Sequence, residues 1–150
     1  MKRNLLLRDE LKRLFSSSGK RFLAMKDGLF LFSSEERGIS PLYFFLKTFG
    51  ERCEGTYVAD TVIGRGAALL LIKARVAYLY ARMISQGAAA LLERAGLRFE
   101  YKEKVPCILN RAKEGPCPVE RLTEGVTDPR KAFDAIEKFV MNMEKGEGVL

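Results

Sequence analysis

The chain has 150 residues, 47% of them hydrophobic and 30% charged, with a formal charge of +7. These values suit one globular domain over 1–150 and exclude a mainly disordered chain. The longest apolar run, Gly66 to Ile72, falls far short of the ~18 residues of a membrane-spanning helix, so a cytoplasmic protein with no membrane partner is expected.

Asn4 to Phe15 carries apolar residues at 5, 6, 7, 11, 14 and 15, which form one helical stripe inside a basic N-terminal helix over 1–20. Residues 1–26 hold eight basic and two acidic side chains, +6 of the +7. That segment reads either as a solvated helix face or as a surface for nucleic acid or another polyanion. No aromatic residue precedes Phe15 in it, so no stacking platform is evident. Arg21–Met25 and Leu29–Ser33 flank the turn Lys26-Asp27-Gly28 and predict a β-hairpin. Ser40 as N-cap and Pro41 at the first helical position open a helix to about Phe49, with Gly50 as its stop.

Thr56–Asp60 predicts a strand, followed by Gly64-Arg65-Gly66 and a buried helix over Ala67–Lys73. Val76–Tyr80 predicts the next strand. Ser85 caps a helix over Gln86–Ala95, closed by Gly96, and Leu97–Val105 alternates as a third strand. Residues 106–118 hold three prolines, Gly115 and two cysteines; a loop this long inside one domain points to function. Glu120–Leu122 predicts one helical turn. Asp128-Pro129 starts a last helix with apolar positions 132, 133, 136, 139, 140 and 143, and 146–150 is a tail. Strands alternating with helices imply right-handed crossovers. The expected fold is α/β: a three-layer α/β/α sandwich whose mixed sheet of about five strands joins the hairpin to a βαβαβ unit.

The chemistry is bounded by what is missing. There is no histidine, which excludes a Ser-His-Asp triad, a Cys–His dyad and His-ligated zinc. Cys53, Cys107 and Cys117 are odd in number, far apart and never in C-x-x-C spacing, against both a disulfide framework and a zinc knuckle. A single glutamine, Gln86, in a chain rich in Lys, Arg and Glu follows the thermophile pattern.

In an open α/β sheet, ligands bind beyond the carboxyl ends of the parallel strands. The segments expected there are Asp60–Gly66, Arg82–Ser85 and the loop 106–118. Two lead into helix N-termini, which favour an anion. Gly64 and Gly66 let the backbone approach a ligand, or simply make a tight turn; Arg65 adds a charge-assisted donor. Asp60, read as a strand end, serves as a base or hydroxyl partner, or as a turn residue. Ser85 binds a ligand or only caps its helix. Cys117, between Pro116 and Pro118, falls at an N-cap where the dipole is expected to lower its thiol pKa, or is a small packing residue. Glu120 is its acid/base partner or a first-turn carboxylate.

Glu36-Arg37-Gly38-Ile39 with Pro41, Val58-Ala59-Asp60 through Gly64 and Ala67-Ala68-Leu69, and Asn110-Arg111 followed by Cys117-Pro118 and Glu120 resemble a prokaryotic family, domain-of-unknown-function family 1893. The similarity spans about residues 22–136. The resemblance implies a cytidine-deaminase-like fold and a comparison with the zinc deaminases, whose signature is H-x-E at one helix start and P-C-x-x-C at the next. The equivalent starts here, about Asp60–Gly66 and Ile84–Gly87, contain no His or Cys, and the first has no Glu. Zinc is therefore not expected as a cofactor. The resemblance further implies a pocket for a nucleotide-like molecule, in which Arg65 and Arg111 hold an anionic group and Asp60 and Asn110 bond the base or sugar. Members of that fold often pair, so a homodimer is admitted. Three functions follow: a nucleotide-like or small anionic ligand bound by Gly64, Arg65, Gly66, Ser85, Asn110 and Arg111; thiol chemistry at Cys117 with Glu120 and Asp60; or nucleic-acid binding through the basic N-terminus.

Overall fold

In the computed structural model, which describes residues 2–144, helix α1 (Lys2–Ser18) leads into a hairpin of β1 (Phe22–Lys26) and β2 (Leu29–Ser34). Asp27 (φ 54°) and Gly28 (φ 80°) both lie in the left-handed region between Lys26 and Leu29. A two-residue hairpin turn of matching twist requires that geometry, and it explains the Asp-Gly pair. Helix α2 (Ser40–Phe49) begins one residue earlier than predicted: Ile39 is its N-cap without a side-chain bond, and Ser40 is its first residue rather than its cap. Pro41 still falls in the first turn, where its missing N–H leaves nothing unpaired. A 3₁₀ turn over Gly50–Cys53 follows.

Three strands and two helices then alternate: β3 (Tyr57–Ile63), α3 (Arg65–Ala74), β4 (Tyr78–Ser85), α4 (Gln86–Ala95) and β5 (Arg98–Val105). The sheet order is β2-β1-β3-β4-β5; β1 is antiparallel to β2 and β3, while β3, β4 and β5 are parallel. Two strand ends differ from expectation. β3 runs to Ile63, which puts Asp60 inside the strand, paired with Phe22 on one side and Ala81 on the other. β4 runs to Ser85, so Arg82–Ser85 belongs to the sheet rather than to a loop leaving it. Both strands are flanked by partners on two sides, and ladder hydrogen bonds extend them through residues of modest strand propensity.

Two separate apolar clusters flank the sheet. One gathers Leu11 and Phe15 of α1 with Leu23, Met25, Ala59 and Tyr78. The other, on the opposite face, joins α2, α3 and α4 to the sheet. These make the three layers. The last helix, α6 (Pro129–Glu144), packs on α3 and α2 through Ala132, Ile136 and Val140; of the predicted stripe Met143 is exposed. The predicted tail, 146–150, lies outside the described residues.

The loop 106–118 is ordered by its own bonds. Leu109 and Pro116 form an isolated bridge, the Asn110 N–H donates to the Gly115 carbonyl (2.8 Å), and the Cys117 N–H donates to the Ile108 carbonyl (3.0 Å). It delivers the chain into the short helix α5 (Pro118–Leu122), which then lies beside the start of α3.

Candidate functional site at the start of helix α3

Helix α3 begins at the carboxyl end of β3 with Gly64 as its N-cap and no side chain of its own to cap it. The cap comes from elsewhere. Glu120 of α5 places Oε1 2.6 Å from the Arg65 N–H, so its carboxylate accepts a first-turn amide of α3. A negative group is favoured there by both the free N–H and the helix dipole. The glycines follow from that approach. A Cβ on Gly64 would lie 2.5 Å from Glu120 Oε1, and one on Gly66 would lie 2.5 Å from Val119 Cγ1. A side chain at either position would force α5 side chains aside: the Glu120 carboxylate at Gly64, and Val119 at Gly66.

Arg65 runs the other way, across the start of α4. Its Cγ lies 3.1 Å from where a Cβ of Gly87 would stand, and a terminal nitrogen donates to the Val126 carbonyl at 2.7 Å. Its Nε is buried and has no hydrogen-bond partner among the described residues. The two helix starts of the parallel sheet are thus spanned by one guanidinium. Gly87 was not among the expected site residues. Its signal was a poor helix former in the first turn of α4, which marks a close approach by another chain segment.

Ser85 is the N-cap of α4: its Oγ accepts the Ala88 N–H at 3.1 Å, and the residue is buried. Replacing it with alanine is expected to lower unfolding stability by about 1 kcal/mol, the usual worth of such a cap, as read by chemical denaturation. A loss below a few tenths would mean the hydroxyl does not hold the helix.

Cys117 is the N-cap of α5 as expected, with Sγ accepting the Glu120 N–H at 3.4 Å. Its thiol pKa moves opposite to expectation: burial pushes it up, and the Glu120 and Val119 amides offset only part of that. Desolvation of the anion outweighs two amides at the start of a five-residue helix, which favours the neutral thiol. Glu120 is turned to α3 through its carboxylate and meets Cys117 through its backbone.

The other expected residues are held apart. Asn110 spends its side chain inside its own turn, accepting the Glu114 N–H at 3.1 Å, and Arg111 is exposed in that turn. Among the described residues neither has a hydrogen bond to Gly64, Arg65 or Glu120. Asp60 is 7% exposed; its carboxylate accepts from the adjacent Thr61 N–H at 2.7 Å, and among the described residues no cation pairs with it. Burial raises its carboxyl pKa well above the usual range. Two hollows of the surface lie elsewhere, one of about 450 Å³ along α6 between Leu122 and Asn142.

The zinc implied by the resemblance does not fit these residues. The two helix starts offer Gly64-Arg65-Gly66 and Ser85-Gln86-Gly87, with no thiolate or imidazole and a guanidinium between them. Among the described residues no three Cys, Asp or Glu side chains gather as a ligand set.

Part of the basic N-terminus is paired within the domain. Lys12 Nζ bonds Glu100 at 2.7 Å, and Arg8 lies over the Tyr78 ring (4.8 Å), 3.8 Å from Glu100. Arg3, Arg13 and Lys20 pair with Asp27, Glu10 and Glu35. Five of the eight cations are thus paired within the domain, on four carboxylates.

The profile of TM1506, a domain of unknown function (DUF1893), matches residues 10–140. The chain belongs to the DUF1893 family. It is similar to the DUF1893 family protein TM1506 from Thermotoga maritima, with 30% identity and a TM-score of 0.80 over 89% of each chain. A looser likeness, 13% identical with a TM-score of 0.48, covers 64% of this chain and 35% of Acinetobacter baumannii RibD. No curated protein matches. The matched DUF1893 range takes in α3, α4 and α5, so the Glu120-capped helix start lies within the family domain. No helix among the described residues is long and apolar enough to cross a membrane.

Proposed function

We propose that this DUF1893 domain is a zinc-free member of the deaminase-like fold that binds a small anionic, nucleotide-like ligand at the start of α3, where Glu120 is the resident anion the ligand displaces. The observation that supports this is the Glu120 carboxylate on the Arg65 N–H at 2.6 Å. The helix start takes a negative group, and the one it holds is delivered from a surface segment. Helix α5 buries none of its residues, and its hold on the body rests on Glu120, on Val119 against Gly66 and on Thr123. With Glu120 withdrawn, the free N–H groups and the bare backbone at Gly64 and Gly66 would open to one anion, a set that suits a phosphate; the Arg65 guanidinium, held on the other side by the Val126 carbonyl, would have to turn to reach it. Asn110, Arg111 and Cys117 ride on the segment that would reseat around the ligand.

A thermal-shift panel of nucleosides, nucleotides and inorganic phosphate tests this on the wild type and on Glu120→Ala. Phosphate-bearing members are expected to stabilise both, and to bind the variant about tenfold more tightly, the size of one favourable anion–dipole interaction. No stabilisation of either folded protein by any member rules the proposal out.

A further inference from the structure

Arg65 is bonded twice to one chain segment. Its backbone N–H donates to Glu120 Oε1 at 2.6 Å, and its guanidinium donates to the Val126 carbonyl at 2.7 Å. Both partners lie on the stretch between the end of β5 and the start of α6. The two bonds leave Arg65 in different directions, one from the first turn of α3 and the other from the end of a side chain laid across the start of α4.

That stretch holds together as a body of its own. The bridge of Leu109 with Pro116 and the Cys117 N–H on the Ile108 carbonyl (3.0 Å) close the loop. The Arg121 N–H on the Cys117 carbonyl (3.1 Å) and the Thr123 N–H on the Val119 carbonyl (3.0 Å) carry the bonding into α5. Arg121 also reaches back over the loop, a terminal nitrogen 3.1 Å from where a Gly115 Cβ would stand. Attachment to the rest of the domain is thin by contrast. Of residues 107–126 only Thr123 is buried. Besides the two Arg65 bonds, Ile108 lies against Gly64, and Val119 and Thr123 lie against Gly66. The segment joins the body through a bend at Pro106–Cys107 and through irregular chain at 126–128. A segment with few buried contacts and mostly internal hydrogen bonds opens at a lower free energy than the core, and short irregular stretches at the ends of elements are where such segments hinge.

We propose that residues 107–126 are a lid over the start of α3, that the lid opens as one piece while the sheet stays folded, and that Arg65 is its two-point latch. The Arg65 N–H holds the helix of the lid through Glu120, and the guanidinium holds the downstream hinge through Val126. Opening uncovers the backbone at Gly64 and Gly66 together with the free first-turn N–H groups of α3. What the opening admits rests on the anion-binding reading above; the opening itself does not.

Hydrogen exchange of the full chain, read by mass spectrometry on peptides from 107–126 and from β3 and β4, tests it. The amides of Cys117, Arg121, Thr123 and Val126 are hydrogen-bonded in the closed lid and report its opening. In the wild type they are expected to exchange more slowly than free amides but at least about a hundredfold faster than β3 and β4. Glu120→Ala removes one latch. Arg65→Met removes the other and keeps both the N–H and the side-chain stem. Each is expected to speed exchange in 107–126 about tenfold, the weight of one charge-assisted hydrogen bond, with β3 and β4 unchanged. Lys47→Ala, which breaks the pair with Glu137 between α2 and α6 (3.0 Å), is expected to leave the lid at the wild-type rate. Exchange of 107–126 only at the rate of β3 and β4 overturns the proposal, as does a wild-type segment with no protection. So do latch variants that leave the segment unchanged or speed the strands equally. Inorganic phosphate separates the two readings: faster exchange of 107–126 on adding it supports both, whereas an unchanged rate in a lid that opens rejects the anion site and keeps the lid.

Discussion

Replacing Phe15 with alanine is expected to destabilise the domain by about 3–5 kcal/mol, the range for emptying a buried aromatic site, and to lower the melting midpoint by on the order of 10 °C. Phe15 is fully buried between α1 and the sheet. Its ring meets Tyr80 edge-on at 6.4 Å and carries the Arg82 guanidinium 4.4 Å from its centre. The smaller apolar cluster, with Leu11, Leu23, Met25, Ala59 and Tyr78, depends on it. The variant therefore asks whether the basic N-terminal helix is a layer of the fold or an appendage for a polyanion. A layer predicts loss of global stability in urea. An appendage predicts less than about 1 kcal/mol, and that result would mean that α1 does not help to hold the sheet.

The second large effect belongs to Asp60. Its carboxyl is buried in mid-strand without a cation, and burial raises its pKa well above the ordinary 3.8. The sign follows from proton linkage. Between 3.8 and the raised value the folded state binds more protons than the unfolded one, so stability is fully present below 3.8 and is lost as pH rises through the folded pKa. Asp60→Asn keeps an oxygen for the Thr61 N–H and removes the titration. The variant is expected to match the wild type near pH 3 and to exceed it at pH 7 by at least about 1 kcal/mol, since a tenfold difference in proton affinity between the folded and unfolded states is worth about 1.4 kcal/mol. Equal stabilities across that pH range would show that the carboxylate is satisfied in the folded state.

The hairpin, α3, α4 and the parallel βαβαβ order were legible because their signals sit within a few residues of one another. Asp27-Gly28 sets a left-handed turn, Ser85 reaches an amide three residues on, and Gly96 at φ 74° closes α4. The glycines at 64 and 66 were legible as points of close approach. What approaches them was not, because the Glu120 carboxylate arrives from 55 residues away. The cap position of Cys117 alone points to a lowered thiol pKa, whereas the burial that decides it depends on Ile108, Glu120 and the segment folded around it.

By itself, then, the sequence determined which elements form, in what order, and where the chain turns; these depend on backbone preference and on periods of two or 3.6, which are local quantities. The tertiary structure alone decided that β3 and β4 continue past Asp60 and Tyr80, that a carboxylate is shut inside the sheet, and that Arg65 and Glu120 fill the two helix starts. Each of those outcomes depends on a neighbour distant in sequence, whose hydrogen bonds or desolvation outweigh the local preference.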